Sequence, residues 1–189
     1  MTAIIDYKAG NLTSVKLAFA ALGAEAVVTS DPKVIAAADR VVFPGVGAAK
    51  SAMENLRALG LVEPVKEAAA TKPFLGICLG MQILFDHSEE DGGVDCLGII
   101  SGNVRRFPTV PGFKVPEIGW NGVEGLDGKE FYFVHSYYAE KGPYTLGMTE
   151  YAGVEFSSAV RRGNLLATQF HPEKSGRIGL ELIKEWLSC

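Results

Sequence analysis

Lys72-Pro73-Phe74-Leu75-Gly76-Ile77-Cys78-Leu79-Gly80-Met81-Gln82, continued by Ile83, Leu84 and Phe85, is the stretch on which the reading of this 189-residue chain turns. A short apolar run opened by a proline and followed by a glycine predicts a buried strand, and the spacing of Leu79, Gln82, Ile83 and Phe85 predicts a helix behind it. Cys78 then sits on the turn between them. Gly76 and Gly80 flank it where a side chain would crowd a sharp strand-to-helix reversal, the logic of a nucleophile elbow with sulfur in place of a serine oxygen. Orphan N–H groups and the positive end of a helix dipole at that point favour thiolate. Taken alone, a lone cysteine at a strand end is more often a small core residue than a nucleophile.

Working outward, residues 3–6 form a short strand and residues 11–22 a helix with Leu12, Val15, Phe19 and Leu22 on one face. Residues 24–29 give a second strand, Asp31-Pro32 caps a helix through Ala38, and residues 40–43 give a third strand. Residues 61–71 form a further helix ahead of the elbow. Strands alternating with helices imply an α/β fold, a mostly parallel sheet covered by helices on both faces. Ligands gather beyond the carboxyl ends of such strands, so loops 7–11, 44–47 and 78–80 should face one crevice. From Gly98 onward short strands over 99–107, 131–134, 145–150, 156–160 and 165–169 predict a largely antiparallel half that extends the sheet, closed by a helix over 177–187 whose buried side is Ile178, Leu182, Ile183 and Trp186. No repeat or linker divides the chain, and 189 residues can bury one large core, so one domain over 1–189 is expected.

Composition narrows the classes. A net charge of −4 without a basic cluster argues against nucleic acid as partner. No apolar run is long enough to span a bilayer, and Asp6 and Lys8 interrupt the opening run too soon for a secretory signal; a cytoplasmic protein is expected. Cys78, Cys96 and Cys189 lack disulfide spacing, and His87, His135 and His171 stand apart without zinc-ligand spacing, so neither a metal nor a cofactor is expected. Pro44-Gly45-Val46-Gly47-Ala48-Ala49-Lys50 offers two glycines of a dinucleotide fingerprint, but Lys50 stands where the third belongs. Its N–H groups suit an anion better, although an ordinary strand-to-helix turn would account for the loop equally well.

Gln169-Phe170-His171-Pro172-Glu173-Lys174 lies at the end of the 165–169 strand. His171 can take the thiol proton of Cys78 and return it to a leaving amine, while Glu173 holds the imidazole tautomer and Pro172 stiffens the backbone between them. A lone His-x-Glu is weak, since a solvated or core histidine is the commoner case. Joined to Gly-Ile-Cys-Leu-Gly-Met-Gln on an α/β scaffold, the pair is highly specific.

At these residues the chain resembles the class I glutamine amidotransferases, whose signature is a G-x-C-x-G elbow with a downstream H-P-E. Within that family it is most similar to the branch that serves histidine biosynthesis, through Asp6-Tyr7, Gly10-Asn11-Leu12, Pro44 to Ala48, Gly119-Trp120-Asn121, Phe133 to Tyr137 and Gln169 to Ser175. Lys8, Ala49 and Glu117 depart from the family pattern, which usually has glycine, an aromatic residue and histidine there.

The resemblance implies a flavodoxin-like fold and a glutaminase in which Cys78 attacks the side-chain amide of L-glutamine. Leu79 and the Val46-Gly47 loop would supply the oxyanion donors, and Gln82, Glu90, Ser136 and Tyr137 would bind substrate. It further implies a heterodimer with a (β/α)₈-barrel cyclase that consumes the ammonia, with Asn11, Trp120, Tyr137 and Lys174 at the interface. Simpler roles stand beside these: a solvated acidic helix end for Glu90, a core aromatic for Trp120 and a surface charge for Lys174. Another synthase as recipient, a stand-alone γ-glutamyl hydrolase and an inert binding module remain alternatives.

Overall fold

The computed structural model describes residues 1–188. Its first half alternates β1 (Thr2–Ile5), α1 (Leu12–Ala21), β2 (Ala26–Thr29), α2 (Pro32–Ala37), β3 (Arg40–Gly45), α3 (Ala49–Ala58), α4 (Val62–Thr71) and β4 (Phe74–Cys78). Local chemistry sets these boundaries. Asn11 caps α1 by accepting from the Ser14 N–H, and Asp31 caps α2 by accepting from the Lys33 N–H with Pro32 in the first turn. The second half contains α5 (Leu79–Gln82), β5 (His87–Ser88), β6 (Val94–Asp95), β7 (Asn103–Arg106), β8 (Glu117–Gly122), β9 (Glu130–His135), β10 (Tyr137–Ala139), β11 (Thr145–Tyr151), β12 (Val154–Arg162), β13 (Leu165–Thr168) and α6 (Gly176–Leu187).

Among the described residues the main sheet runs β2-β1-β3-β4-β13-β12-β10-β7-β5-β6, with β11 also on β12. The first five strands in that order are parallel, and from β13 outward to β7 each pairing is antiparallel. Alternation along the parallel strands splits the core in two. Ile5, Val41, Phe43 and Phe74 pack with Met53, Leu56, Val65 and Ala68 of α3 and α4. Ile4, Val42, Leu75 and Ile77 pack with Val15 and Phe19 of α1 and Ile183 and Trp186 of α6. Each of the Val, Leu, Ile, Phe and Met side chains among them contributes on the order of 1.5–3 kcal/mol by leaving water. A third cluster of Phe107, Phe131, Phe133, Phe156 and Phe170 supports β8 and β9, which pair only with each other as a separate antiparallel hairpin.

Three local expectations give way. The helix behind the elbow is one turn long, because the carbonyls of Ile83, Leu84 and Phe85 accept from the N–H groups of Leu97, Ile99 and Gly98 instead of continuing a helix. The 99–107 strand contracts to Asn103–Arg106 for the same reason, since Ile99 and Ile100 are spent on Leu84. Strands β5, β6, β8 and β10 also lie where the sequence predicts none.

Candidate active site

Cys78 occupies φ 55°, ψ −114°, a region sparsely populated by any residue but glycine, at a cost of about 1–3 kcal/mol. The surroundings hold it there. A Cβ on Gly80 would be driven into the Phe43 carbonyl, and one on Gly76 would come within 2.9 Å of the Ala167 Cβ. Because α5 is a single turn, its dipole contributes little, and the setting of the sulfur rests on side chains. Sγ lies 3.8 Å from the Gln169 Nε2 donor and 4.0 Å from the Val134 carbonyl.

The sheet brings the second half of the site alongside. β13 pairs in parallel with β4, Thr168 opposite Ile77, so the chain leaving β13 emerges beside the elbow. His171 is fixed there by its N–H to the Tyr132 carbonyl and by its own carbonyl accepting from Ser175 Oγ at 2.6 Å. Its Nδ1 stands 2.8 Å from Glu173 Oε1, with the two side chains 2% and 1% exposed. Nε2 is buried and makes no hydrogen bond of ordinary geometry. Burial alone would push this imidazole down, but attraction to the Cys78 sulfur and the Glu173 carboxylate outweighs it, and its pKa is pushed up to about 10. Sulfur and carboxylate thus both favour a proton on this ring.

Val46, Gly47, Cys78, Leu79, Gln82, Glu90, Val134, Ser136, Tyr137 and His171 line one cavity of about 300 Å³, together with Pro116 and His135. That is at the small end of ligand sites, the scale of a single amino acid. β3 runs beside β4 with Gly45 level with Cys78, which carries Val46 and Gly47 to the rim, Gly47 at φ +96°. Leu79 is the first residue of its turn, so its N–H has no intrahelical acceptor and is available to an oxyanion.

The remaining expected residues divide. Glu90 reaches the cavity, but one oxygen already accepts from the Ala49 N–H at 2.6 Å and caps α3; burial, reinforced by Asp91, raises its pKa against that bond. Gln82 donates its amide to the Tyr137 carbonyl at 2.8 Å and to Gln169 Oε1 at 2.9 Å. Trp120, with Ile118 beside it, stands 55% exposed on β8 and is no core aromatic. Lys174 is also exposed, and Asn11 is half-buried as the cap of α1.

The sequence reading gave no role to Gln169, Tyr7 or Glu117. The Tyr7 hydroxyl is buried without a hydrogen-bond partner among the described residues, and burial, with the charge of Cys78, raises its pKa so that the phenol stays protonated. Glu117 Oε2 lies 2.9 Å from His135 Nε2 and its Oε1 accepts from Asn121 at 3.0 Å, a pair with both side chains under 5% exposed. Its only sequence signal is that a carboxylate replaces the family's histidine.

The glutamine amidotransferase class-I family model matches residues 3–187. The chain is 50% identical to imidazole glycerol phosphate synthase subunit HisH of Dechloromonas aromatica (strain RCB), over 98% of this chain and 94% of that one. It is 48% identical to the protein of the same name from Methanothermobacter thermautotrophicus (strain ATCC 29096 / DSM 1053 / JCM 10044 / NBRC 100330 / Delta H), over 99% and 98% respectively. Among solved structures, one described as a glutamine amidotransferase superposes with a TM-score of 0.77 at 21% identity, covering 98% of this chain and 97% of that one, a likeness of fold. With an elbow cysteine, a histidine and a glutamate on adjacent parallel strand ends, and a family match spanning nearly its whole length, the chain belongs to the class I glutamine amidotransferases.

Proposed function

We propose that this chain is the glutaminase subunit of an imidazole glycerol phosphate synthase, acting as one catalytic unit over its 189 residues. The relatives that carry that name support the assignment, and the presence of Cys78 and His171 in the lining of one cavity carries the chemistry. Cys78 as thiolate attacks the Cδ carbonyl of L-glutamine, and the oxyanion is met by the Leu79 N–H and a peptide N–H of the Val46-Gly47 loop. The imidazolium of His171 gives its Nε2 proton to the departing nitrogen, and ammonia leaves. His171, now neutral, takes a proton from water as that water attacks the γ-glutamyl thioester; the adduct then breaks its C–S bond, which returns the thiolate beside the imidazolium, and the new γ-carboxyl gives its proton to solvent as glutamate departs. Glu173 holds the ring through Nδ1 throughout.

Ammonia released into solvent would be protonated and inert, so a cyclase subunit receives it directly. A (β/α)₈ barrel docked over Ile118 and Trp120 fits this reading, since these two large apolar side chains stand exposed on β8, and Lys174, also exposed and without an ion pair among the described residues, would serve the same interface. The deciding measurement is glutamine hydrolysis by the purified chain, with and without the cyclase subunit and that subunit's nucleotide ligand. Hydrolysis that rises steeply with both present and vanishes in Cys78→Ser is expected. Full-rate hydrolysis of glutamine and γ-glutamyl peptides by the chain alone would overturn the assignment in favour of a stand-alone hydrolase.

A further inference from the structure

Gln169 opens the stretch that holds His171 and Glu173, yet thiol acyl transfer as described leaves it unused. It is fully buried, and the β4–β13 register brings it level with Cys78. Its amide is oriented by its neighbours. Gln82 spends both N–H bonds, one on the Tyr137 carbonyl and one on Gln169 Oε1, so the oxygen of Gln169 must face Gln82 and its nitrogen must face the sulfur at 3.8 Å. The flipped amide would set two NH₂ groups against each other. The Tyr137 carbonyl is in turn held by His135 Nδ1 at 2.7 Å, and His135 Nε2 by Glu117.

We propose that Gln169 is a further catalytic residue, donating a hydrogen bond to the Cys78 thiolate, and that Gln82, His135 and Glu117 are positioning residues that fix the direction of its amide. An ionised sulfur accepts more strongly than a neutral thiol, so the donor favours the attacking form. The inference rests on the glutaminase reading above. The other titratable groups around the sulfur are His171 with Glu173 behind it, Tyr7 from the first loop, His135 from β9 and Glu90 on the cavity wall. Gln169 is uncharged, so its contribution separates from theirs.

Gln169→Glu keeps the shape and leaves an oxygen for Gln82, but sets a carboxylate oxygen against the sulfur; Gln169→Leu removes both contacts. The assay is iodoacetamide alkylation of the full chain, read at the Cys78 peptide as a function of pH. The expected result in each folded variant is a rise in the alkylation midpoint, alkylation at neutral pH slowed by about 10-fold or more, and a matching fall in kcat with KM little changed. In the unsubstituted protein, the ¹⁵N-labelled side-chain amide of Gln169 should shift as Cys78 ionises, a readout that does not depend on any variant folding. An alkylation profile of Gln169→Glu that superimposes on the parent, or a Gln169 amide resonance that stays fixed while Cys78 ionises, overturns the proposal. Absence of glutaminase in the unsubstituted complex would instead count against the functional reading, and the alkylation and resonance measurements would still decide the hydrogen bond.

Discussion

Replacing Gly80 by alanine should unfold this protein more easily and disarm it, whereas the same change at Gly142 should do neither. At Gly80 the added Cβ would run into the Phe43 carbonyl oxygen, with the Phe43 carbonyl carbon at 2.9 Å and the Pro44 carbonyl carbon at 3.3 Å. All three are backbone atoms, so no side chain can swing aside. Phe43 and Pro44 are also registered against Gly76 and Ile77, so retreat of β3 would strain its ladder with β4. Overpacking typically costs 1–3 kcal/mol, and a backbone-only obstruction belongs at the upper end, about 3 kcal/mol. For a chain of this size that lowers Tm by about 6–12 °C. Gly142 has open space around its Cβ position and no left-handed φ, so Gly142→Ala should be neutral or stabilise by up to about 1 kcal/mol through the unfolded chain. Urea unfolding of both variants should show a lower midpoint with unchanged slope for Gly80→Ala alone. Glutaminase measured well below its melting temperature should fall further than the unfolded fraction explains, because the elbow moves with β3. A Gly80→Ala protein within about 0.5 kcal/mol of the parent would refute the reasoning, since that is the size of an ordinary surface change.

Two more tests concern the site. The His171 pKa is raised from about 6.5 in the unfolded chain to about 10, so its stabilising contribution is complete below 6.5 and is lost as pH climbs through 10. Stability to urea should therefore decline over that window with a slope of at most about 1.4 kcal/mol per pH unit for this group. The decline should be smaller in Cys78→Ser, which removes the sulfur's pull; equal slopes in the two proteins would exclude the Cys78–His171 interaction as its source. In the rim loop, Gly47 sits at φ +96°, a value closed to proline, so Gly47→Pro fixes a different loop shape. If that loop completes the oxyanion hole only when the cyclase is docked, glutamine binding should persist in this variant while stimulation by the cyclase and its ligand is lost; stimulation of normal size would refute such a switch.

The parallel half was legible in the sequence because its signals are local: apolar runs of strand length, Asp31-Pro32 as a cap, and glycines around Cys78. The union of Cys78 with His171 was legible only as chemistry, since the adjacency of β4 and β13 depends on a pairing between residues about half the chain apart. Strand β8 escaped because its pattern is inverted: Ile118 and Trp120 face outward while Glu117 is buried, and two glycines fall inside it. A pattern reader expects the polar residue outside. The role of Gln169 escaped for another reason, because an amide carries no charge or nucleophile to mark it, and its meaning comes from what Gln82 already holds.

Where β13 falls in the chain dictates the order in which this enzyme can come to life. Until residues 165–168 dock, the far edge of β4 stands bare, and the sulfur has neither its imidazole nor its amide donor. An incomplete or partly unfolded chain can thus shape the glutamine elbow while remaining chemically silent. Ammonia is liberated only by a polypeptide that has closed the β4–β13 seam, because the elbow and the residues that serve it come from opposite sides of that seam.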